Sequence, residues 1–173
     1  MGWVDAARLS AAWGEFPDQQ RRALEVTAER VGRYVPFAEV VSAWGMPTFR
    51  VDGDILLSIQ GFSQHNSVFP GPGAISRLMD SLTDFTVTKG TIHFDRDAPL
   101  SVSFVRSLVS ACLASLNESY PKRSGVYKQY FANGGVKVRG KFKDDARHGE
   151  WRWWKADGEL VRTQYYKLGK LIP

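Results

Sequence analysis

Apolar residues recur along this chain with two different periods, and the change from one to the other outlines the fold. Leu24, Ala28, Val31 and Val35 stand at i, i+4, i+7 and i+11, which predicts a helix buried along one face. Its start lies near Pro17-Asp18, with proline suited to a first turn and the acid to the positive end of the helix dipole. The opposite face carries Arg21, Arg22, Glu25, Glu29, Arg30 and Arg33, a mixed surface for solvent. A shorter helix is expected over Val4–Trp13, closed by Gly14. From Val40 the period becomes two: strands are expected over Ser42–Val51 and Ile55–Phe62, turning at Asp52-Gly53-Asp54, and again at Ser67–Phe69. Pro70-Gly71-Pro72-Gly73 breaks that sheet. Ile75, Leu78, Met79 and Leu82 then predict a helix beginning at Pro72 or Gly73. Thr86–Phe94 returns to extended structure around Lys89-Gly90. Ser101 can cap a last helix with Val105, Leu108, Val109, Cys112 and Leu116 on one face. Helices, strands, helix, strand, helix is an α+β order, a compact helix-and-antiparallel-sheet sandwich, and not an alternating βαβ one.

The C-terminal part contains one segment written twice. Shifting by 24 residues superposes Tyr127 on Trp151, Tyr130 on Trp154, Asn133 on Asp157, Gly134 on Gly158, Val136 on Leu160 and Phe142 on Tyr166. Each unit reads as an aromatic strand, an Asn-Gly or Asp-Gly turn and a second alternating strand, so the tail is a small β-meander of two hairpin repeats. The expected division is residues 1–119 for the α+β unit, 120–125 for a polar linker, and 126–173 for the repeats. Isolated hairpins are marginal in water. Trp151, Trp154 and Tyr166 are therefore expected to pack across the two units, with further aromatic surface resting on the helix that ends near Leu116.

Charge sharpens this division. Residues 1–119 carry 10 Lys/Arg and 13 Asp/Glu, whereas residues 120–173 carry 13 and 5, so the net charge of +5 belongs to the repeats. Within them Lys137, Arg139, Lys141 and Lys143 alternate with Val136, Val138 and Phe142. A period of two places those four cations on one strand face, which either solubilises an exposed sheet or docks an acidic macromolecule: protein, nucleic acid or anionic lipid surface. No stretch of 18 apolar residues and no basic-then-apolar N-terminus occurs in the sequence, so a cytoplasmic protein without a transmembrane segment is expected.

Chemistry-bearing motifs are sparse. There is no Gly-x-Ser-x-Gly elbow, phosphate loop, dinucleotide fingerprint or Cys-x-x-Cys pair, and the expectation is a binding protein and not an enzyme. Cys112, the single cysteine, lies on an apolar stripe and reads as a core thiol. His65, His93 and His148 show no ligand spacing. In the first unit Met46, Phe49, Phe69, Lys89 and Thr91 combine apolar groups with a cation and a hydroxyl, the mixture of a small-molecule cleft. The same residues, with Trp44, also suit the core of a small sheet with Lys89-Gly90 as its turn.

Three ordered motifs, Trp44-Gly45-Met46-Pro47-Thr48-Phe49, Phe69-Pro70-Gly71-Pro72 and Lys89-Gly90-Thr91-Ile92-His93-Phe94, resemble the YdhG-like family, a bacterial domain family largely without assigned function. The resemblance covers about residues 15–118 and implies a compact α+β sandwich. Some members are described as frataxin-like intracellular iron chaperones, which implies iron as an alternative ligand. The tail, through Asn133-Gly134 and His148-Gly149-Glu150-Trp151, resembles the MORN-variant repeat of YwqK-like proteins. Iron needs clustered carboxylates or histidines, and the pairs available are Asp52 with Asp54 and Asp95 with Asp97. Both pairs flank turns, where aspartate is equally at home.

Overall fold

The computed structural model describes Leu9 and residues 11–173. Most of the helix expected over Val4–Trp13 lies outside the described residues, although Leu9, Ala11 and Ala12 are helical. Helix α1 (Asp18–Tyr34) follows Pro17 and buries Leu24, Ala28 and Val31 as its periodicity predicts. A hairpin pair then forms from β1 (Glu39–Ala43), β2 (Met46–Val51) and β3 (Asp54–Gly61), followed by β4 (Asn66–Phe69). Helix α2 (Pro72–Leu78) starts on the proline and passes into a 3-10 turn over Met79–Ser81. Strands β5 (Thr86–Val87) and β6 (Ile92–Phe94) precede α3 (Val102–Ser119), whose cap is the Ser101 hydroxyl accepting the Phe104 N–H at 3.2 Å. The antiparallel sheet has the order β1-β2-β3-β4-β6-β5. Phe49, Val51, Leu57, Ile59, Val68 and Ile92 are almost fully buried in one core with Leu24, Val31, Val105 and Leu108. The fold class is α+β.

Two local expectations are corrected. Ser42–Val51 is not one strand: the chain reverses at Trp44-Gly45, whose φ angles of 52° and 74° make a two-residue turn that pairs Ala43 with Met46. A positive φ is uncommon for a bulky residue, and Trp44 is 75% exposed there, outside the core. Met79 does not continue the buried face of α2. The tightening to a 3-10 turn rotates it outward, and it is 63% exposed.

The second sheet comprises β7 (Gly125–Tyr130), β8 (Val136–Lys143), β9 (Ala146–Trp154), β10 (Leu160–Lys167) and β11 (Lys170–Ile172), in the order β11-β10-β9-β8-β7. The 24-residue period appears directly in its turns. Phe131 and Lys155 donate backbone bonds to Gly135 and Glu159, and the Asn133 and Asp157 side chains accept from the N–H two residues on, at 3.0 and 2.9 Å. The period also reaches one strand beyond the two expected hairpins. Asp144-Asp145 and Leu168-Gly169, 24 residues apart, both turn through positive φ, and the second turn adds β11.

The two units are joined through packed surface. A Cβ on Gly134 would lie 3.0 Å from Val51 and 3.2 Å from Val35, and one on Gly158 would lie 3.1 Å from Phe37. Both repeat turns thus dock on the first unit by the close backbone approach that glycine allows. Tyr130 enters the first core, and its backbone is held on both sides by the Asn117 side chain of α3 at 2.8 and 3.2 Å. This is the aromatic surface expected near the end of that helix. Trp151 is 1% exposed and packs with Tyr127, Phe142, Trp153 and Tyr166. Trp154 is not in that cluster, because alternation along β9 sends it to the opposite face.

Candidate functional site

The hairpin tip at Asp52-Gly53-Asp54 meets the second sheet, and its carboxylates are already satisfied there. Lys128, 9% exposed, places its ammonium 2.7 Å from the Asp52 carbonyl oxygen, 3.0 Å from the Asp52 carboxylate and 3.6 Å from that of Asp54. Arg139 approaches Asp52 at 3.6 Å. The hydroxyls of Tyr120 and Tyr130 both donate to Asp54. Burial first, and then the neighbouring Asp54 carboxylate, push both phenols well above the usual tyrosine range. Tyr120 is thereby anchored, although residues 120–125 read as a linker. A cation at Asp52 and Asp54 would have to displace an ammonium, because the pair sits in a charge cluster with Lys128 and Arg139 of the second sheet. Asp95 is used differently but as fully: its carboxylate accepts the N–H groups of Asp97 and Ala98 at 2.7 and 3.1 Å, an Asx turn. No group of three or more metal-ligating side chains occurs among the described residues.

The proposed cleft residues are not all brought together either. Thr48 pairs with Ser58 and Ser58 with Phe69, whereas Phe49 pairs with Leu57. Phe49 and Phe69 therefore face opposite sides of the sheet. Phe49 is fully buried. Met46 sits at the start of β2, and β3 and β4 separate it from β6, next to which Lys89 and Thr91 form an exposed or half-exposed turn closed by the Thr88 N–H to Thr91 carbonyl bond at 2.9 Å. Sheet order, invisible in the sequence, separates Met46 and Phe49 from the Lys89 turn, and of the five only Phe69 comes beside Thr91, since Val68 pairs with Ile92 and the Gly71 N–H donates to the Gly90 carbonyl at 3.3 Å. It also unites two histidines that sequence spacing kept apart: the His65 and His93 rings stack at 4.0 Å, with Phe62 beside His65 and Phe69 beside Phe62. Partial burial and the neighbouring His65 lower the pKa of His93. Cys112 is a core thiol whose pKa burial pushes up to about 12.

The four strand cations do share one exposed face of β8. Two of them, Arg139 and Lys141, line a groove of about 540 Å³ whose walls also include Val126, His148, Arg152 and Trp154. Gly140 and Gly149 contribute to its lining. Glu150, also in this groove, is neutralised by Arg152 at 2.8 Å and accepts the Tyr165 hydroxyl at 2.9 Å. Lys137 lies over the Phe131 ring at 5.8 Å. Lys141 and Lys143 have no ion-pair partner among the described residues. The β9 residues of this face, His148, Glu150, Arg152 and Trp154, are legible in the sequence as an i, i+2 series. The other face of the sheet is aromatic, with Arg147 stacked over Trp151 at 4.8 Å and Arg162 over Trp153 at 4.1 Å.

No family model and no curated protein matches the chain. Among solved structures, the crystal structure of the YdhG protein of Bacillus subtilis, from the DUF1801 family, superposes with a TM-score of 0.54 at 16% sequence identity. The matched part has the fold of YdhG. The match covers 58% of this chain and 84% of the YdhG chain, so the likeness spans most of YdhG but leaves room for the additional sheet here. At this identity YdhG speaks to architecture alone. Among the described residues no helix is long and apolar enough to cross a membrane.

Proposed function

We propose that this chain is a non-enzymatic cytoplasmic binding protein in which a YdhG-like domain acts as the rigid base for a MORN-variant sheet that docks an acidic macromolecule. The observation that carries the reading is the β8–β9 face, where Lys141 in the groove and Lys143 farther along the same strand face remain uncompensated while the neighbouring acids Asp52 and Glu150 are each paired. Exposed cations contribute little to folding, and a row of them along one strand face beside a groove is the footprint of an anionic partner. The repeat reading rests on the recurrence of the same turn bonds 24 residues apart. The iron alternative has less support, because Asp52 and Asp54 face an ammonium and Asp95 closes a turn.

Inorganic polyphosphate, a polyanion with no shape of its own, tests this reading. The full chain should bind it saturably at low ionic strength and release it as salt rises. Lys141→Glu with Lys143→Glu should abolish binding, and Lys89→Glu, on an exposed turn of the other domain, should leave it intact. No binding at low salt, or equal loss with Lys89→Glu, would overturn the proposal.

A further inference from the structure

We infer that the acidic partner is a single-stranded polynucleotide, an inference that rests on the binding face proposed above and names its ligand. Three observations favour that polymer over other polyanions. First, Lys137, Arg139, Lys141 and Lys143 occupy alternate positions of one strand, so neighbouring cations stand about 6.8 Å apart, twice the rise of roughly 3.4 Å per nucleotide in a stacked strand. That pitch suits a strand drawn out, with its bases unstacked and turned onto the protein.

Second, aromatic rings share the cationic face. Trp154 lines the groove beside Arg152, and Tyr165, 51% exposed, stands on the same face through its bond to Glu150. Rings interleaved with cations provide stacking for bases and charge for phosphates. A carboxylate-rich peptide has no use for those ring faces. Third, the groove is recessed and bordered by the Asp52 hairpin, which reaches Arg139 at 3.6 Å. A planar anionic bilayer would bring its headgroups against that aspartate, whereas a narrow polymer can run past it. His148, in the wall of the groove, also keeps Nδ1 without a hydrogen-bond partner among the described residues.

Binding of the full chain to a labelled oligothymidylate of about 12 nucleotides, a length within the usual single-strand site size, tests the inference. With three to four cations engaged, the logarithm of affinity should fall with the logarithm of salt concentration at a slope of about −2 to −3. Lys141→Gln with Lys143→Gln should flatten the slope by about 1.4. Trp154→Ala should weaken binding at least about fivefold with the slope unchanged, and Trp154→Phe should restore most of the loss. The inference is overturned if duplex DNA of the same length binds as tightly, or if Trp154→Ala leaves affinity unchanged. It is also overturned, with the broader proposal intact, if polyphosphate, polyglutamate or phosphatidylserine vesicles bind through Lys141 and Lys143 while the oligonucleotide does not. If none of the four probes binds, both fall.

Discussion

Trp151 and Gly140 form one packing unit, and a double-mutant cycle between them tests how the second sheet is held together. The indole is 1% exposed, donates from Nε1 to the Lys141 carbonyl at 3.1 Å, and lies so close over β8 that a Cβ on Gly140 would sit 2.3 Å from Cδ2. Burying a ring of about 150–250 Å² at about 25 cal/mol/Å² contributes roughly 4–6 kcal/mol. Trp151→Ala should therefore cost about 3–5 kcal/mol, the usual range for deleting a buried aromatic. Gly140→Ala should cost about 1–3 kcal/mol in the native background, because a ring held by Tyr127, Phe142 and Trp153 cannot retreat from the new methyl group. In the Trp151→Ala background the obstruction is gone. The same Gly140→Ala change should then stabilise by about 0.5–1 kcal/mol, since alanine restricts the unfolded chain more than glycine does. Urea unfolding of the four proteins supplies the cycle. Native-state hydrogen exchange should show β9 and β10 losing protection before β7, which Asn117 and the Lys128 cluster tie to the first domain. Additive costs for the two substitutions would refute the reasoning, because they would mean that the ring does not rest on Gly140.

Three other outcomes follow from the junction and the core. Lys128→Ala removes an ammonium that is 11% exposed from between carboxylates that are 29% and 23% exposed. Since water and Arg139 offset part of the loss, the urea-unfolding cost should be about 2 kcal/mol; less than about 0.5 kcal/mol would mean that the cluster is solvent-screened. The phenols of Tyr120 and Tyr130 ionise in the unfolded chain near pH 10 but stay protonated in the folded one. Stability should therefore be unaffected by these groups below pH 10 and fall above it by up to about 1.4 kcal/mol per pH unit for each phenol, less for the partly exposed Tyr120, which water screens. Tyr130→Phe should remove one such increment, and an unchanged alkaline slope would contradict the assignment. Finally, Cys112, with its thiol pushed up to about 12, should resist iodoacetamide at pH 8 in native buffer and react in urea; rapid native alkylation would place it outside the core.

Much of the fold is legible in single stretches of sequence because helix and strand periodicities are local. The buried face of α1, the Ser101 cap of α3, the Asp52-Gly53 reversal and the repeated Asn133-Gly134 and Asp157-Gly158 turns each arise from residues within a few positions of one another. The alternation of Lys137, Arg139, Lys141 and Lys143 likewise determined their common face. Trp44 escaped this reading, since nothing in its side chain announces a positive φ.

Which faces and edges meet was decided only by the tertiary structure. Strand order placed Phe49 and Lys89 apart and stacked His65 on His93. Asp52 and Asp54 are common turn residues by sequence and charge-cluster residues in the fold, because docking of β7 delivers Lys128 and Tyr130 from 76 positions away. The same docking decides that Arg139 is partly spent on Asp52 while Lys141 and Lys143 stay uncompensated. The physical reason is that periodicity assigns a side chain to a face at little range, whereas its partners depend on strand order and interdomain packing, which are settled by the sum of many long-range contacts.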